Sequence, residues 1–371
     1  MKRLVLAACC CATLFAVAAA QEPIDFTKAR ELLRKEQAGQ KLTEAEAAYL
    51  AKAKAARRAG QGDAKRKARP KQAVAGKESI GQKPLTEMTA DDRYKDQDGG
   101  LYGGGQNEPP AEHRQAAEPA LAKIQPLDAD GKPSDSGTIG FVSISMSNAT
   151  QEFTTFKRLA DADSAKSRRV TIVDCAQGGQ AMAEWVDPDG MPWQVAARRL
   201  AAANVAPEQV QVAWIKLANK GPRGDLAEHG KKLEKDTLAV IQNAKAKFPN
   251  LRVAHLSSRI YGGYSGGSLN PEPYAYESAF VVRWLIQRQI KGDESLAHEK
   301  GGPAKAPVLL WGPYLWADGV TPRKADGLVY LRDDLGGDGT HPSPAGREKV
   351  ARLMLEFYKS DALAKAWFAG K

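Results

Sequence analysis

From residue 137 onward, short runs of β-branched and aliphatic residues alternate with stretches of helical spacing. Thr138–Ile144, Val170–Val173, Val210–Ile215, Leu251–Leu256 and Val308–Trp311 have strand length and strand composition. Phe153, Phe156 and Leu159 recur at helical spacing between the first two runs. So do Phe280, Val281, Trp284 and Leu285, and then Val350, Leu353, Met354, Phe357 and Tyr358. Strand and helix in alternation predict an α/β fold, a parallel sheet with helices on both faces. In such sheets ligands bind beyond the carboxyl ends of the strands, so the chemistry is sought in the residues that follow each run.

The first 136 residues lack this rhythm. Residues 24–58 read as a short helical pair, with Thr43-Glu44-Ala45-Glu46 at capping-box spacing. Residues 59–78 hold almost no large apolar side chain and read as a disordered basic linker. Residues 79–136, broken by Gly103-Gly104-Gly105 and Pro109-Pro110, read as an extended lead-in that wraps over the following domain. No internal repeat is present.

Residues 1–20 form a further segment. Lys2 and Arg3 precede an apolar stretch, Leu4–Val17, and Ala18-Ala19-Ala20 offers a small-residue cleavage site. This is the pattern of a bacterial export signal, so a secreted or periplasmic protein is expected. Leu6-Ala7-Ala8-Cys9 has lipobox-like spacing, but the apolar segment before Cys9 is very short. No later stretch approaches span length, so the mature chain is expected to be soluble with no membrane span. Of four cysteines only Cys175 follows the signal, which excludes an internal disulfide and a cysteine metal site. At the end of an apolar run, Cys175 reads as a buried small hydrophobe. The net charge of +10 is concentrated between Lys52 and Lys71, where nine Lys/Arg face one acid, Asp63. That stretch reads as a solvated, partly helical tail, with electrostatic contact to acidic cell-surface polymer, a membrane surface or nucleic acid as its alternative. No aromatic residues interleave with the charges, which argues against nucleic acid.

Candidate chemistry clusters at the predicted strand ends. Ser147 follows the first strand in Ser145-Met146-Ser147-Asn148, where it reads either as a helix cap or as a nucleophile whose N–H lies at a helix start. Gly178 and Gly179 follow the second strand, and either can bring a backbone amide close to a reacting oxygen. Asn219 follows the third and can add a neutral donor. Asp338 and His341 lie three residues apart on the loop that enters the last helix, which Ser343 caps. A carboxylate at that spacing can hold an imidazole in one tautomer and turn its other nitrogen toward a nucleophile. Each feature alone is ordinary in a loop. Together they supply a nucleophile, a base, its orienting acid and oxyanion donors.

The order Ser147, Gly179, Asn219, Asp338-x-x-His341 resembles the SGNH (GDSL-like) hydrolases over roughly residues 137–360. The resemblance implies a three-layer α/β/α sandwich with a flavodoxin-like parallel sheet. It also implies Ser147 as nucleophile, His341 as base and Asp338 as its orienter. Ser147 N–H, Gly179 N–H and the Asn219 amide would form an oxyanion hole, and no cofactor or metal would be needed. The chain departs from the family where Gly-Asp-Ser is usual, because Met146 cannot make the acid's hydrogen bonds. Ser145-Met146-Ser147-Asn148 is similar to the Gly-x-Ser-Asn segment of carbohydrate acetylesterases in the wider group, which implies O-acylated sugars as substrates.

Two aromatic-rich loops complete the reading. Ser257–Tyr264 and Trp311–Trp316 follow the fourth and fifth strands, and read either as walls for a sugar or acyl group or as packing under long loops. Arg259 and Tyr261 are the expected substrate contacts. The sequence therefore predicts a serine esterase acting on an acylated carbohydrate or another small ester. Its alternative is a glycan-binding module that kept the fold and lost the chemistry.

Overall fold

The helical pair expected near the start forms as α1 (Phe26–Gln37) and α2 (Glu44–Lys67). The computed structural model describes residues 25–37, 41–67, 76–298 and 304–369. They fall into two units divided at residue 72. In the first unit the capping box closes as read. Thr43 N donates to Glu46 Oε2 at 2.9 Å, and Glu46 N donates to Thr43 Oγ1 at 3.3 Å. Leu32, Leu50 and Ala53 are buried in this unit. α2 runs through Lys67, into the stretch expected to be linker. Its Ala, Lys, Arg and Gln are strong helix formers, and they outweigh Gly60 and Gly62. The export signal and residues 68–75 of the basic stretch lie outside the described residues, as do the side chains of residues 56–67.

The second unit begins with the lead-in, which is more than a wrap. It contains a helix, α3 (Ala111–Ala122), that the sequence reading missed. Leu85, Met88, Tyr102, Ala117 and Ile124 join the main core. The sheet follows, built from β1 (Ile139–Ile144), β2 (Val170–Asp174), β3 (Val210–Lys216), β4 (Val253–Ser257) and β5 (Val308–Trp311). Its order is β2-β1-β3-β4-β5 and every pairing is parallel. This is the flavodoxin-like order, whose switch point falls between β1 and β3. All residues of β1 and β3 are buried, as strands covered on both faces must be.

The remaining helices are α4 (Ser147–Ala162), α5 (Met182–Trp185), α6 (Met191–Ala202), α7 (Lys231–Lys247), α8 (Tyr274–Ile290), α9 (Pro344–Ser360) and α10 (Lys365–Phe368). On one face, Phe141 of β1 meets Phe153 of α4, Tyr358 of α9 and Trp367 of α10 at ring separations of 5.3, 4.9 and 5.5 Å. Elsewhere α5 and α6 join through Trp185 and Trp193, 4.9 Å apart, and α7 packs against both α5 and α8. Cys175 is buried and free, and burial pushes its thiol up. Among the described residues no helix is long and apolar enough to cross a membrane.

One polar device is buried inside this scaffold. Lys216, the last residue of β3, pairs with Glu152 of α4 at 2.5 Å, with both side chains fully enclosed. Burial draws the Lys216 ammonium down to about 8, against the pull of Glu152. The pair ties the nucleophile-bearing helix to the strand beneath it. We expect Lys216→Met to cost about 3–5 kcal/mol, because Glu152 is left buried and alone. The double variant Lys216→Met/Glu152→Leu should recover much of that loss in urea unfolding. Equal losses in the single and double variants would mean that shape, not charge, sets the cost.

Candidate active site

The end of β1 turns sharply into α4, and Ser147 is the first residue of that helix. Met146 at the cap position is extended (φ −103°, ψ −167°) and offers no side-chain bond to the helix. Its thioether instead packs with Ala181 and Ala218 in a small apolar cluster. The support that an acid would give here comes from elsewhere. Asp174, at the end of β2, accepts from Ser143 Oγ (2.6 Å), Thr154 Oγ1 (3.0 Å) and Thr150 Oγ1. Burial raises the Asp174 carboxyl, and these donors act against the rise. Ser145 Oγ donates to the Lys216 carbonyl at 2.5 Å, joining the ends of β1 and β3.

His341 arrives from the far end of the chain. Ser147 Oγ lies 2.7 Å from His341 Nε2, and His341 Nδ1 lies 2.5 Å from Asp338 Oδ2. Asp338 Oδ1 also accepts from the backbone N–H of Thr340 and His341, each at 3.0 Å. Burial works to raise the Asp338 carboxyl, but these bonds prevail and hold it below the usual carboxylate value. An ionised Asp338 can only accept, so Nδ1 carries the ring proton. In the neutral ring Nε2 then has the lone pair and can accept from the Ser147 hydroxyl. Gly339 makes the tight loop possible. It has φ +65°, and a Cβ there would sit 1.7 Å from the Tyr264 carbonyl oxygen. Ser343 caps α9 as expected, accepting from Gly346 N at 3.3 Å.

The donors expected for an oxyanion converge on the same place. Ser147, Gly179, Asn219, Arg259 and His341 line one pocket of about 220 Å³, whereas Gly178 is not in the lining. The Ser147 and Gly179 backbone N–H groups have no protein acceptor among the described residues. Gly179 has φ +77°, a conformation that L side chains rarely adopt, and Lys220 Nζ holds its carbonyl at 3.0 Å. Asn219 is fixed at both ends of its amide. Its Oδ1 accepts from Ala183 N at 2.9 Å, and its Nδ2 donates to Asp236 Oδ2 at 2.6 Å. The second Nδ2 hydrogen is left for a ligand. Met146, Ala181, Ala218 and Leu269 give the pocket its apolar wall.

Tyr261 departs from expectation. It is 1% exposed, its hydroxyl donates to the Lys77 carbonyl at 2.7 Å, and it is not in the pocket lining. The Trp311–Trp316 loop also turns away from substrate. Trp311 Nε1 donates to the Leu101 carbonyl at 2.7 Å, and Tyr314 Oη accepts from Leu85 N at 2.9 Å. The second loop packs its aromatics onto the lead-in, and the first reaches Lys77 just before it, so the end of the expected linker is ordered. Sequence reasoning in turn missed Asn148 and Asp236. Asn148 is buried and donates from Nδ2 to the Thr340 carbonyl at 2.7 Å, which ties the serine helix to the histidine loop. A Ser-Asn pair at a helix start looks like a cap, so that tether has no distinct signature. Glu272, between β4 and α8, likewise has no local sequence signature of its role. It anchors that loop by accepting from Gly262 N (2.8 Å), Tyr276 N (2.9 Å) and Trp316 Nε1 (2.8 Å).

Among the described residues no group of three or more His, Cys, Asp or Glu side chains could hold a metal ion. No family model matches the chain, and no curated protein matches it. Comparison with solved structures finds a candidate SGNH hydrolase from Slackia heliotrinireducens at 16% identity and TM-score 0.33, covering 60% of this chain and 99% of that one. A candidate acylhydrolase from Bacteroides fragilis matches at 12% identity and TM-score 0.35, covering 70% and 100%. The periplasmic domain of a lipopolysaccharide acetyltransferase from Salmonella ser. Paratyphi A matches at 12% identity and TM-score 0.34, covering 65% and 95%. Likenesses this distant decide neither reaction nor substrate.

The Glu272 anchor generates a pH dependence. Burial raises its carboxyl from 4.5 to about 7, against its three donors. Between those values the folded protein keeps a proton that the unfolded chain has released, so stability falls as pH rises. The loss is complete above the folded value and is on the order of 3 kcal/mol. Glu272→Gln should remove that part of the slope when urea midpoints are compared with wild type across the window. Parallel slopes in the two proteins would contradict it.

Proposed function

We propose that the chain is an exported serine esterase of the SGNH type, hydrolysing O-acyl esters, with O-acetylated carbohydrate as its substrate class. The observation that carries the proposal is the chain of contacts from Ser147 Oγ through His341 to Asp338, at 2.7 and 2.5 Å. Ser147 Oγ attacks the acyl carbon while His341 Nε2 takes its proton. The oxygen that becomes negative is held by Ser147 N–H, Gly179 N–H and the free Asn219 Nδ2–H. The intermediate collapses, the C–O bond to the alcohol breaks, and His341 returns the proton to the departing oxygen. Water, deprotonated by His341, then attacks the acyl-enzyme and releases the acid and free Ser147.

The substrate class rests on the size of the pocket and on the family resemblance. About 220 Å³ with a wall of Met146, Ala181, Ala218 and Leu269 suits a short acyl chain. The export signal pattern in residues 1–20 supports action outside the cytoplasm.

Ser147→Ala and His341→Ala should each bring release of 4-nitrophenolate from 4-nitrophenyl acetate down to the background rate. A folded Ser147→Ala protein that still turns over would rule out the scheme. Asn219→Ala should lower kcat by about 10²–10³ with little change in KM. An effect confined to KM would remove Asn219 from the oxyanion hole. Acetylated xylan and pectin, assayed for acetate release, test the carbohydrate assignment.

A further inference from the structure

A buried guanidinium without a partner is costly for a fold to keep. Arg259 is 5% exposed, and its guanidinium makes no hydrogen bond or ion pair with any described residue; its Nε is enclosed with no acceptor. The two nearby carboxylates favour its charge without bonding to it. Glu152 is held by Lys216 at 2.5 Å, and Glu272 is held by its three donors. Both act on Arg259 only through space, while burial lowers the guanidinium to about 10, so it stays charged at neutral pH. Arg259 lines the same pocket as Ser147, Asn219 and His341. Lys220, the other cation in that lining, is already paired with Glu184 at 2.6 Å.

A second orphan lines the pocket. Asn270 is 4% exposed, and its Oδ1 is buried with no partner. It holds a left-handed backbone (φ 64°) in the loop anchored by Glu272. Two buried polar side chains, both unsatisfied and both in the wall of one cavity, mark a place completed by a ligand.

We propose that Arg259 and Asn270 form a recognition subsite for a carboxylate carried by the ester substrate; the proposal rests on the esterase reading of the same pocket. A guanidinium presents paired N–H donors in one plane, matching the two oxygens of a carboxylate. The unpaired Asn270 Oδ1 is an acceptor and takes a hydrogen-bond donor beside that carboxylate, such as a hydroxyl of a sugar acid. The carboxylate belongs to the leaving alcohol, as in an O-acetylated sugar acid, or to the acyl group, as in a hemisuccinate. Either source presents the same planar anion.

Two matched pairs separate the sources. One is O-acetylated methyl galacturonoside against O-acetylated methyl galactoside. The other is mono-4-nitrophenyl succinate against its methyl ester. On one pair, wild-type kcat/KM should favour the acidic member about tenfold or more, and Arg259→Gln should bring that ratio close to one. Ratios near one in wild type on both pairs, or a preference that Arg259→Gln leaves intact, would overturn the subsite. Calorimetry on Ser147→Ala protein guards against a misfolded Arg259 variant. Galacturonate or succinate should bind while galactose and succinamide do not; binding of neither acid counts against the proposal. Acid-selective binding in a wild-type protein that hydrolyses no ester would sink the esterase reading and leave the anion subsite standing.

Discussion

Two side chains 194 positions apart meet at 2.7 Å, and much of the fold around them keeps that distance fixed. A parallel sheet brings Ser147 to one edge through β1, but nothing in the sheet itself delivers His341. That work falls to the Asp338–His341 loop. Asp338 gathers the loop through two backbone amides, and Gly339 lets it pass against the Tyr264 carbonyl. Asn148 then fastens it to the helix that starts at the serine. Thr340 adds a contact to Ser265 at 2.7 Å, linking the loop to the segment after β4. Orientation fixed before a substrate arrives is entropy that need not be lost in the reaction.

The same edge concentrates polar groups that a stability-driven core would not hold. Lys216 and Glu152 sit fully enclosed below the serine turn, with Glu152 Oε1 unpaired, and Arg259 and Asn270 lie unpaired in the pocket wall. Aromatic packing elsewhere supplies the compensating rigidity. Phe141, Phe153, Tyr358 and Trp367 lock α4 and α9 against β1, so the two elements that carry the serine and the histidine loop are held by one cluster. Local rules broken at a site and satisfied around it are what a functional pocket looks like in energetic terms.

The strands, their parallel order and the residues at their carboxyl ends were legible because each depends on a local pattern. Period and β-branching mark a strand, a Ser at its end marks a turn, and Asp-x-x-His before a capped helix marks a loop. What escaped depends on contacts far apart in sequence. Leu85, Met88 and Tyr102 enter the core singly, with no period to betray them, so the lead-in read as a wrap. Tyr261 sat in a loop of the right composition at the right edge, yet its hydroxyl is claimed by Lys77, at the end of the stretch expected to be a disordered linker. Asp236 orients Asn219 from the middle of α7, and no spacing rule connects a helix carboxylate to a loop amide. Composition misled on the end of α2, where helix propensity outweighs Gly60 and Gly62 and the backbone runs to Lys67.

Met146 stands where the resembled family has an acid, and the lack of that acid is what favours a module that binds without reacting. The surroundings argue the other way. A binding site gains nothing from an imidazole whose Nδ1 is fixed by a carboxylate while its Nε2 faces a serine hydroxyl, yet Asp338 and Ser147 hold His341 that way. Nor does it gain from an Asn amide pinned at both ends with one N–H left over. The hydrogen bonds an acid would make at position 146 are replaced from behind, by Asp174 on Ser143, Thr150 and Thr154. Freed of that duty, position 146 becomes part of the apolar wall with Ala181 and Ala218. The serine turn is thus supported from β2, and position 146 serves the pocket.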